Sequence, residues 1–305
     1  MIRKALITGA SGFVGLHLKE ELEKYDYKVY DTDRFGASIK MDLTDYAEVQ
    51  NVLDKVRPDY IFHLAGIAFV PTSWQDPNLV FQVNLIGSLN LFNAIRTVGI
   101  DPMVQIAGSS EEYGLVLPEE LPINENNPLR PLSPYAVSKI AMDMLAYQYF
   151  KSYGMKIVRT RAFNHEGYGR GEQYVTSSFC KQAVEIEKGL KLPIIYHGDL
   201  SSERDFTDVR DMVKAYRLAV EMGEPGEVYN IGSGKKYKIS EVLNIVRSLC
   251  KVRFEDDIDP KRMRPSDLKT LLCDSSKFRK KTGWEPKYTL EQTLKECMKY
   301  WRERI

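Results

Sequence analysis

Tyr135 and Lys139 stand four residues apart in SPYAVSK, a spacing that puts both side chains on one face of a helix starting there. A phenol with its ordinary pKa of about 10 is a poor base, but an ammonium beside it stabilises the phenolate and brings it toward working pH. The pair could therefore move a proton to or from an alcohol oxygen, although the same spacing also describes an ordinary exposed Tyr/Lys pair on a helix. A second stretch, GSSEEYG at 108–114, sets two hydroxyls and two carboxylates directly after the apolar run MVQIA. Polar groups crowded at the end of a buried strand raise the question whether one of the glutamates takes a proton from carbon.

Chemistry of this kind needs a partner that accepts or supplies hydride, and the N-terminal segment has the pattern for one. TGASGFVG places Gly9, Gly12 and Gly15 in G-x-x-G-x-x-G spacing between an apolar run and an amphipathic one. Glycines permit a tight turn and let backbone N–H groups approach a pyrophosphate, which a helix N-terminus also favours. Asp33 closes the next apolar run, where a carboxylate accepts hydrogen bonds from the adenosine ribose hydroxyls. That favours NAD. Arg34 beside it is open between a contact to the 2′-phosphate of NADP and a solvated surface charge, and Asp42 between reading an adenine amino group and capping the following helix.

The elements that must position these residues alternate along the chain. Short apolar runs (KALITG, KVYDTD, DYIFHLAG, MVQIAGSS, MKIVRTRAF) are separated by amphipathic segments at 12–25, 44–56, 78–98 and 133–153. This predicts an α/β, Rossmann-like doubly wound parallel sheet. The pattern loosens after about residue 164, where a smaller C-terminal substrate-binding lobe is expected, and VYNIGSG reads as one more strand returning to the sheet. The boundaries are then 1–163 with 208–234 for the dinucleotide-binding unit, and 164–207 with 235–305 for the lobe. In a doubly wound sheet, ligands sit beyond the carboxyl ends of the strands, so Ser109 and Glu111 face the cleft together if the strand runs that far, with Glu112 turned to solvent.

Composition narrows the partners. The 305 residues carry 43 Lys plus Arg against 42 Asp plus Glu, a formal charge of +1, which points to neither nucleic acid nor an anionic membrane. The four cysteines are far apart with no C-x-x-C pair, so neither zinc nor a disulfide framework is expected, and a reducing cytoplasm fits. No run approaches the roughly 18 apolar residues of a membrane helix.

Taken together, TGASGFVG, DYIFHLAG, GSSEEYG, SPYAVSK, RAFNHEGYGRGEQYVT, RDFTDVRD, VYNIGSG and RPSD resemble an extended short-chain dehydrogenase/reductase over essentially the whole chain. Within that family the sequence is most similar to GDP-mannose 4,6-dehydratases and GDP-4-keto-6-deoxy-mannose reductases. The resemblance implies NAD or NADP held by Gly9, Gly12, Phe13, Val14, Gly15, Asp33, Arg34, Asp42, Leu43, Leu64, Ala65, Gly66, Tyr135, Lys139 and His165. It implies a catalytic set of Ser109, Glu111, Tyr135 and Lys139, and a GDP-sugar met by Ser109, Ser110, Glu111, Tyr135, Asn164, Val175, Arg204, Arg264 and Asp267. His63 reads as a packed histidine beside the cofactor cleft. His165 and Arg170 are expected to touch cofactor or a neighbouring subunit, and Tyr168 departs from the proline of many relatives.

Two reactions fit one constellation. In dehydration, Tyr135 takes the sugar's 4-hydroxyl proton as hydride leaves C4, Glu111 removes the C5 proton made acidic by the new ketone, water departs from C6, and the hydride returns there. In reduction, a 4-keto sugar receives hydride and Tyr135 supplies the proton. Dehydration is taken as the first reading and reduction as the alternative, ahead of a nucleotide-sugar epimerase or a non-catalytic scaffold on this fold. The apolar surfaces of 78–98 and 133–153 predict a homodimer by resemblance, with a tetramer as a further possibility.

Overall fold

Runs such as ALIT and YIFH, apolar without alternation, are what a parallel strand covered on both faces requires. The computed structural model, which describes residues 2–263 and 269–305, builds its strands from these runs. They are β1 (Arg3–Thr8), β2 (Tyr27–Asp33), β3 (Ile39–Lys40), β4 (Tyr60–His63), β5 (Met103–Ser109), β6 (Ile157–Ala162), β7 (Asn164–Glu166), β8 (Ile194–His197), β9 (Glu203–Asp208), β10 (Val228–Ile231), β11 (Lys236–Lys238), β12 (Glu255–Ile258) and β13 (Thr270–Leu271). The helices are α1 (Phe13–Lys24), α2 (Tyr46–Val56), α3 (Val70–Gln75), α4 (Pro77–Phe81), α5 (Gly87–Val98), α6 (Pro134–Tyr153), α7 (Val175–Glu187), α8 (Val209–Met222), α9 (Ile239–Leu249), α10 (Ser276–Thr282) and α11 (Leu290–Arg302).

A seven-stranded sheet in the order β10-β6-β5-β4-β1-β2-β3 is parallel throughout. From β1 the chain winds outward through β2 and β3, then returns to β4 and winds the other way, so the crevice between the ends of β1 and β4 is the switch point where such sheets bind ligands. One face is covered by α1 and α8 around Leu18, Leu22, Met212 and Tyr216, the other by α2, α5 and α6 around Leu53, Leu91, Phe92 and Met142. Each fully buried Leu or Phe contributes about 1.5–3 kcal/mol of transfer free energy.

A separate apolar cluster joins α7, α9 and α11 around Phe179, Val242, Leu243 and Leu294. There β9 pairs with β7, β11 and β13, while β8 pairs with β12. Segment 78–98 is not one regular helix. A π-helical turn at Gln82–Ile86 separates α4 from α5 and buries Asn84 within it.

Candidate active site

The first turn after β1 fits a dinucleotide. Gly12 is exposed and N-caps α1 with no side chain closing the cap, so amides of the first turn, including those of Phe13 and Val14, face outward as an anion cradle would. A Cβ on Gly9 would stand 2.7 Å from Ala65 Cα, and one on Gly15 would stand 2.6 Å from Ala10 Cα. Gly9 is thus the reason the turn lies directly against Leu64 and Ala65 after β4, and Gly15 the reason α1 starts directly on the turn. Asp33, ending β2, accepts the Ser11 amide at 3.2 Å, the Ser11 hydroxyl at 2.5 Å and the Arg34 amide at 2.7 Å. Its carboxylate is therefore fixed where a ribose diol would be read. Arg34 is exposed with its guanidinium over the Phe35 ring.

Asp42 does not cap α2. Its Oδ1 accepts the Thr44 amide and hydroxyl, while Asp45 takes the amides of Ala47 and Glu48. Asp42 thus shapes the turn before the helix, and Asp42 and Arg34 border an open depression of about 760 Å³. Leu43 is buried, its carbonyl held by Asn90.

His63 is a buried structural link. Nδ1 accepts the Thr8 hydroxyl at 2.8 Å, Nε2 donates to Ser88 Oγ at 2.9 Å, and Ser88 donates to Asn84 O. Burial, with Lys139 adding to it, lowers its pKa to about 3. The ring therefore stays neutral and ties β1 and β4 to the π-helical turn.

The catalytic candidates converge. Ser133 caps α6 by accepting the Ala136 amide, with Pro134 in the first turn, which sets Tyr135 at the helix start and Lys139 one turn on. Lys139 Nζ donates to Ala107 O at 2.8 Å and lies 6.0 Å from the Tyr135 ring centre. The Ser109 hydroxyl and Glu111 both lie near enough to the Tyr135 phenol to act on its ionisation. Burial pushes the phenol well above its ordinary value, the Ser109 hydroxyl opposing this and Glu111, Tyr174 and Glu112 adding to it. Lys139 is pushed down to about 8 by burial, with Glu112 acting the other way. Burial thus outweighs the lowering expected of the lysine, and the phenol carries its proton.

The strand does not continue through GSSEEYG. β5 ends at Ser109 and a 3₁₀ turn spans Ser110–Glu112. Glu111 is half-buried, Ser110 is buried, and Glu112, expected in solvent, is fully buried against Arg161. The reason is a reciprocal cap, in which Ser109 Oγ accepts the Glu111 amide while the Glu112 carboxylate folds back to the Ser109 amide.

Among the substrate candidates, Asn164 begins β7 and is half-buried, Val175 opens α7, and Arg204 is buried on β9, donating to the Glu203 carbonyl. His165 stacks on Phe13, as does Arg170, which also covers Tyr174. His17 meets the Tyr168 ring edge-on and bonds its carbonyl. Arg264 and Asp267 lie outside the described residues.

Asn84 escaped the sequence reading. It donates to Ile67 O and to Ser138 Oγ, and accepts the Ile67 amide. A Cβ on Gly66 would lie 2.9 Å from Asn84 Oδ1 and 3.5 Å from Lys139 Nζ, so these three meet at one wall of the cleft. Its only signal was a polar residue inside an apolar helical stretch.

Comparison with known proteins accords with this geometry. The family described as GDP-mannose 4,6 dehydratase matches residues 6–297. The chain belongs to that family. It is an extended short-chain dehydrogenase/reductase, and it is 33% identical to the GDP-6-deoxy-D-mannose reductase of Pseudomonas aeruginosa, covering 100% of this chain and 99% of that one. It is 29% identical to the GDP-mannose 4,6-dehydratase of Vibrio cholerae, over 98% of this chain and 93% of that one. The solved structure of RMD from Pseudomonas aeruginosa complexed with NADPH superposes with a TM-score of 0.92 at 32% identity, covering 99% of this chain and 100% of that chain.

Proposed function

We propose that this family member is an NAD(P)H-dependent reductase of a GDP-linked 4-keto-6-deoxy sugar. The observation that carries the reading is the convergence of buried Tyr135, Lys139 and Ser109 at the end of β5, where burial favours the protonated phenol. That is the resting state of a proton donor, the role a carbonyl reduction requires. The end-to-end match to a reductase adds support.

A reduced nicotinamide bound at the switch point supplies the hydride. Ser109 hydrogen-bonds the sugar's C4 carbonyl oxygen and orients it. Tyr135 transfers its phenolic proton to that oxygen as negative charge develops, leaving a C4 alcohol, and water later restores the phenol. Lys139 stabilises the phenolate left behind. Asn164, Val175 and Arg204, with Arg264 and Asp267, are assigned to the nucleotide-sugar. Residues 164–207 and 235–305 then form the substrate lobe, and 1–163 with 208–234 the dinucleotide unit.

One observation favours dehydration of GDP-mannose as the second reading: Glu111 stands close to Tyr135, where a carbon base would be needed. The two readings separate on one assay. Reduction needs stoichiometric NAD(P)H and a pre-formed keto sugar, whereas dehydration turns GDP-mannose into a 4-keto-6-deoxy product with only catalytic cofactor. Glu111→Gln keeps reductase turnover within about fivefold, since no step of it uses a carbon base, and abolishes any dehydration. Loss of the keto-sugar reduction in that variant would reject the assignment.

The proposed reaction belongs in the cytoplasm. Leu79 on α4 and Val137, Met144 and Tyr147 on α6 are exposed apolar side chains, and they support a homodimer through these helices, which sedimentation of the purified protein checks. A monomer at all concentrations would remove that assignment.

A further inference from the structure

We propose that Glu112 is a positioning residue for the reaction: its buried carboxylate, beside Arg161, fixes the strand end that carries the Ser109 hydroxyl and acts electrostatically on the Tyr135/Lys139 pair. The inference rests on the reductase reading of that site.

Ser109 is the last residue of β5, and the chain turns sharply after it. Its amide donates to Glu112 Oε1 at 2.7 Å, so the carboxylate holds the catalytic candidate by its backbone. Glu112 is 0% exposed and lies tightly under the strand; a Cβ on Gly108 would come within 2.6 Å of Oε1. The other oxygen lies 3.1 Å from Arg161 Nε, whose hydrogen is aligned instead on Asp143 at 2.9 Å. Arg161 also donates to the Tyr113 hydroxyl, and Asp143 is paired with Arg159. Two carboxylates and two guanidiniums therefore alternate inside the protein, between β5, β6 and α6.

Stability alone does not account for this arrangement, because a buried ion pair is seldom better than well-packed apolar side chains of the same volume. A leucine at position 112 would avoid desolvating a charge. What leucine lacks is an acceptor for the Ser109 amide and a charge near the catalytic pair. Glu112 favours the ammonium form of Lys139 and the protonated form of Tyr135. The charged and titratable groups facing Glu112 are Arg161 from β6, Asp143, Lys139 and Tyr135 from α6, and Tyr113 in the turn. Burial, with Asp143 adding to it, pushes the Glu112 acid above the usual carboxylate range, with Arg161 and the Ser109 amide opposing. The carboxylate therefore ionises most fully on the alkaline side, where Lys139 would otherwise lose its charge.

The test compares Glu112→Leu, Glu112→Gln, Ser109→Ala and the Leu/Ala double variant, using a GDP-linked 4-keto-6-deoxy sugar and NADPH. Glu112→Leu loses about 100-fold in kcat with KM changed less than about threefold, the pattern of a misplaced catalytic group. Added to Ser109→Ala, it costs less than about threefold more, because both act on one hydroxyl. Glu112→Gln keeps an acceptor, so kcat falls no more than about fivefold, while the alkaline limb of the kcat profile moves toward neutral pH. In protein without substrate or dinucleotide, exchange of the Ser109 amide hydrogen stays slow in the wild type and Glu112→Gln and is at least about tenfold faster in Glu112→Leu. Equal losses in the wild-type and Ser109→Ala backgrounds, or equal exchange in all three proteins, would overturn the proposal. Should Glu112→Leu not fold, an unmoved alkaline limb in Glu112→Gln does so. A wild type without reductase activity defeats the functional reading only, since the exchange measurement needs no turnover.

Discussion

Gly9→Ala tests whether the contact between the first turn and the end of β4 builds the dinucleotide cleft. Gly9 has φ of +72°, and an added Cβ would stand 2.7 Å from both Cα and N of Ala65 and 3.1 Å from Leu64 C. All three are backbone atoms of neighbouring sheet connections, so nothing can rotate aside as a long side chain would. Left-handed backbone costs a non-glycine residue about 1–2 kcal/mol, and overpacking a tight site about 1–3 kcal/mol more. Gly99 is the control, because it has φ of +66° and nothing within 4 Å of an added Cβ, so Gly99→Ala meets the first cost alone. Unfolding entropy of about 2.1 cal/mol/K per residue makes each kcal/mol worth roughly 1.5 °C in a chain of this length. Gly9→Ala should therefore lower Tm by about 3–8 °C and Gly99→Ala by about 2–3 °C. Scanning calorimetry gives the two shifts, and titration of nicotinamide fluorescence gives affinity, expected to weaken at least about tenfold in Gly9→Ala and to hold in Gly99→Ala. Equal melting shifts, or full dinucleotide affinity in Gly9→Ala, would refute the close-approach argument.

Tyr135→Phe removes the proton donor while keeping the ring, so kcat should fall by about 10²–10⁴-fold with dinucleotide affinity nearly unchanged, as single-turnover kinetics and fluorescence titration would show. His63 is held neutral, with its pKa lowered to about 3 from an unfolded value near 6.5. The unfolded chain takes up the proton first, so this contribution to stability is complete above pH 6.5 and is lost as pH falls toward 3. At pH 5 the loss is about 2 kcal/mol from this group, and urea unfolding at pH 7 and pH 5 should show a smaller pH-dependent drop in His63→Gln than in the wild type.

The strands of the large sheet were legible because their residues obey local rules. Continuous apolar runs end at Thr8, Asp33, His63 and Ser109, and each strand stops within a residue or two of the turn signal that follows. The loosened pattern after residue 164 hid more. α9 and α11 went unassigned, although Thr289 with Gln292 is a capping-box pair and Glu241 folds back to the Lys238 amide. Asn84 was invisible for a different reason: the π-helical turn shifts the register of side chains inside an otherwise helical stretch, and no propensity marks where such a turn forms. Glu112 was misread because alternation was extended past the end of β5, whereas its burial depends on Arg161, 49 positions later in the chain.

That misreading bears on the chemistry itself. With both glutamates of GSSEEYG treated as one buried and one solvated, the Tyr135/Lys139 pair reads as a base made ready by its lysine. In the folded chain Lys139 Nζ is committed to Ala107 O, at 6.0 Å from the ring centre, and Glu112 favours its ammonium form. A phenol in that position gives up its proton readily only when an oxygen carrying developing negative charge lies against it, as a carbonyl oxygen does during reduction. The proposed direction of the chemistry therefore depends on the surroundings of Tyr135 and Lys139, and not only on the pair that both reactions share. Glu111, half-buried within the 3₁₀ turn, and Glu112 both favour the protonated phenol, the form from which the proposed reduction starts.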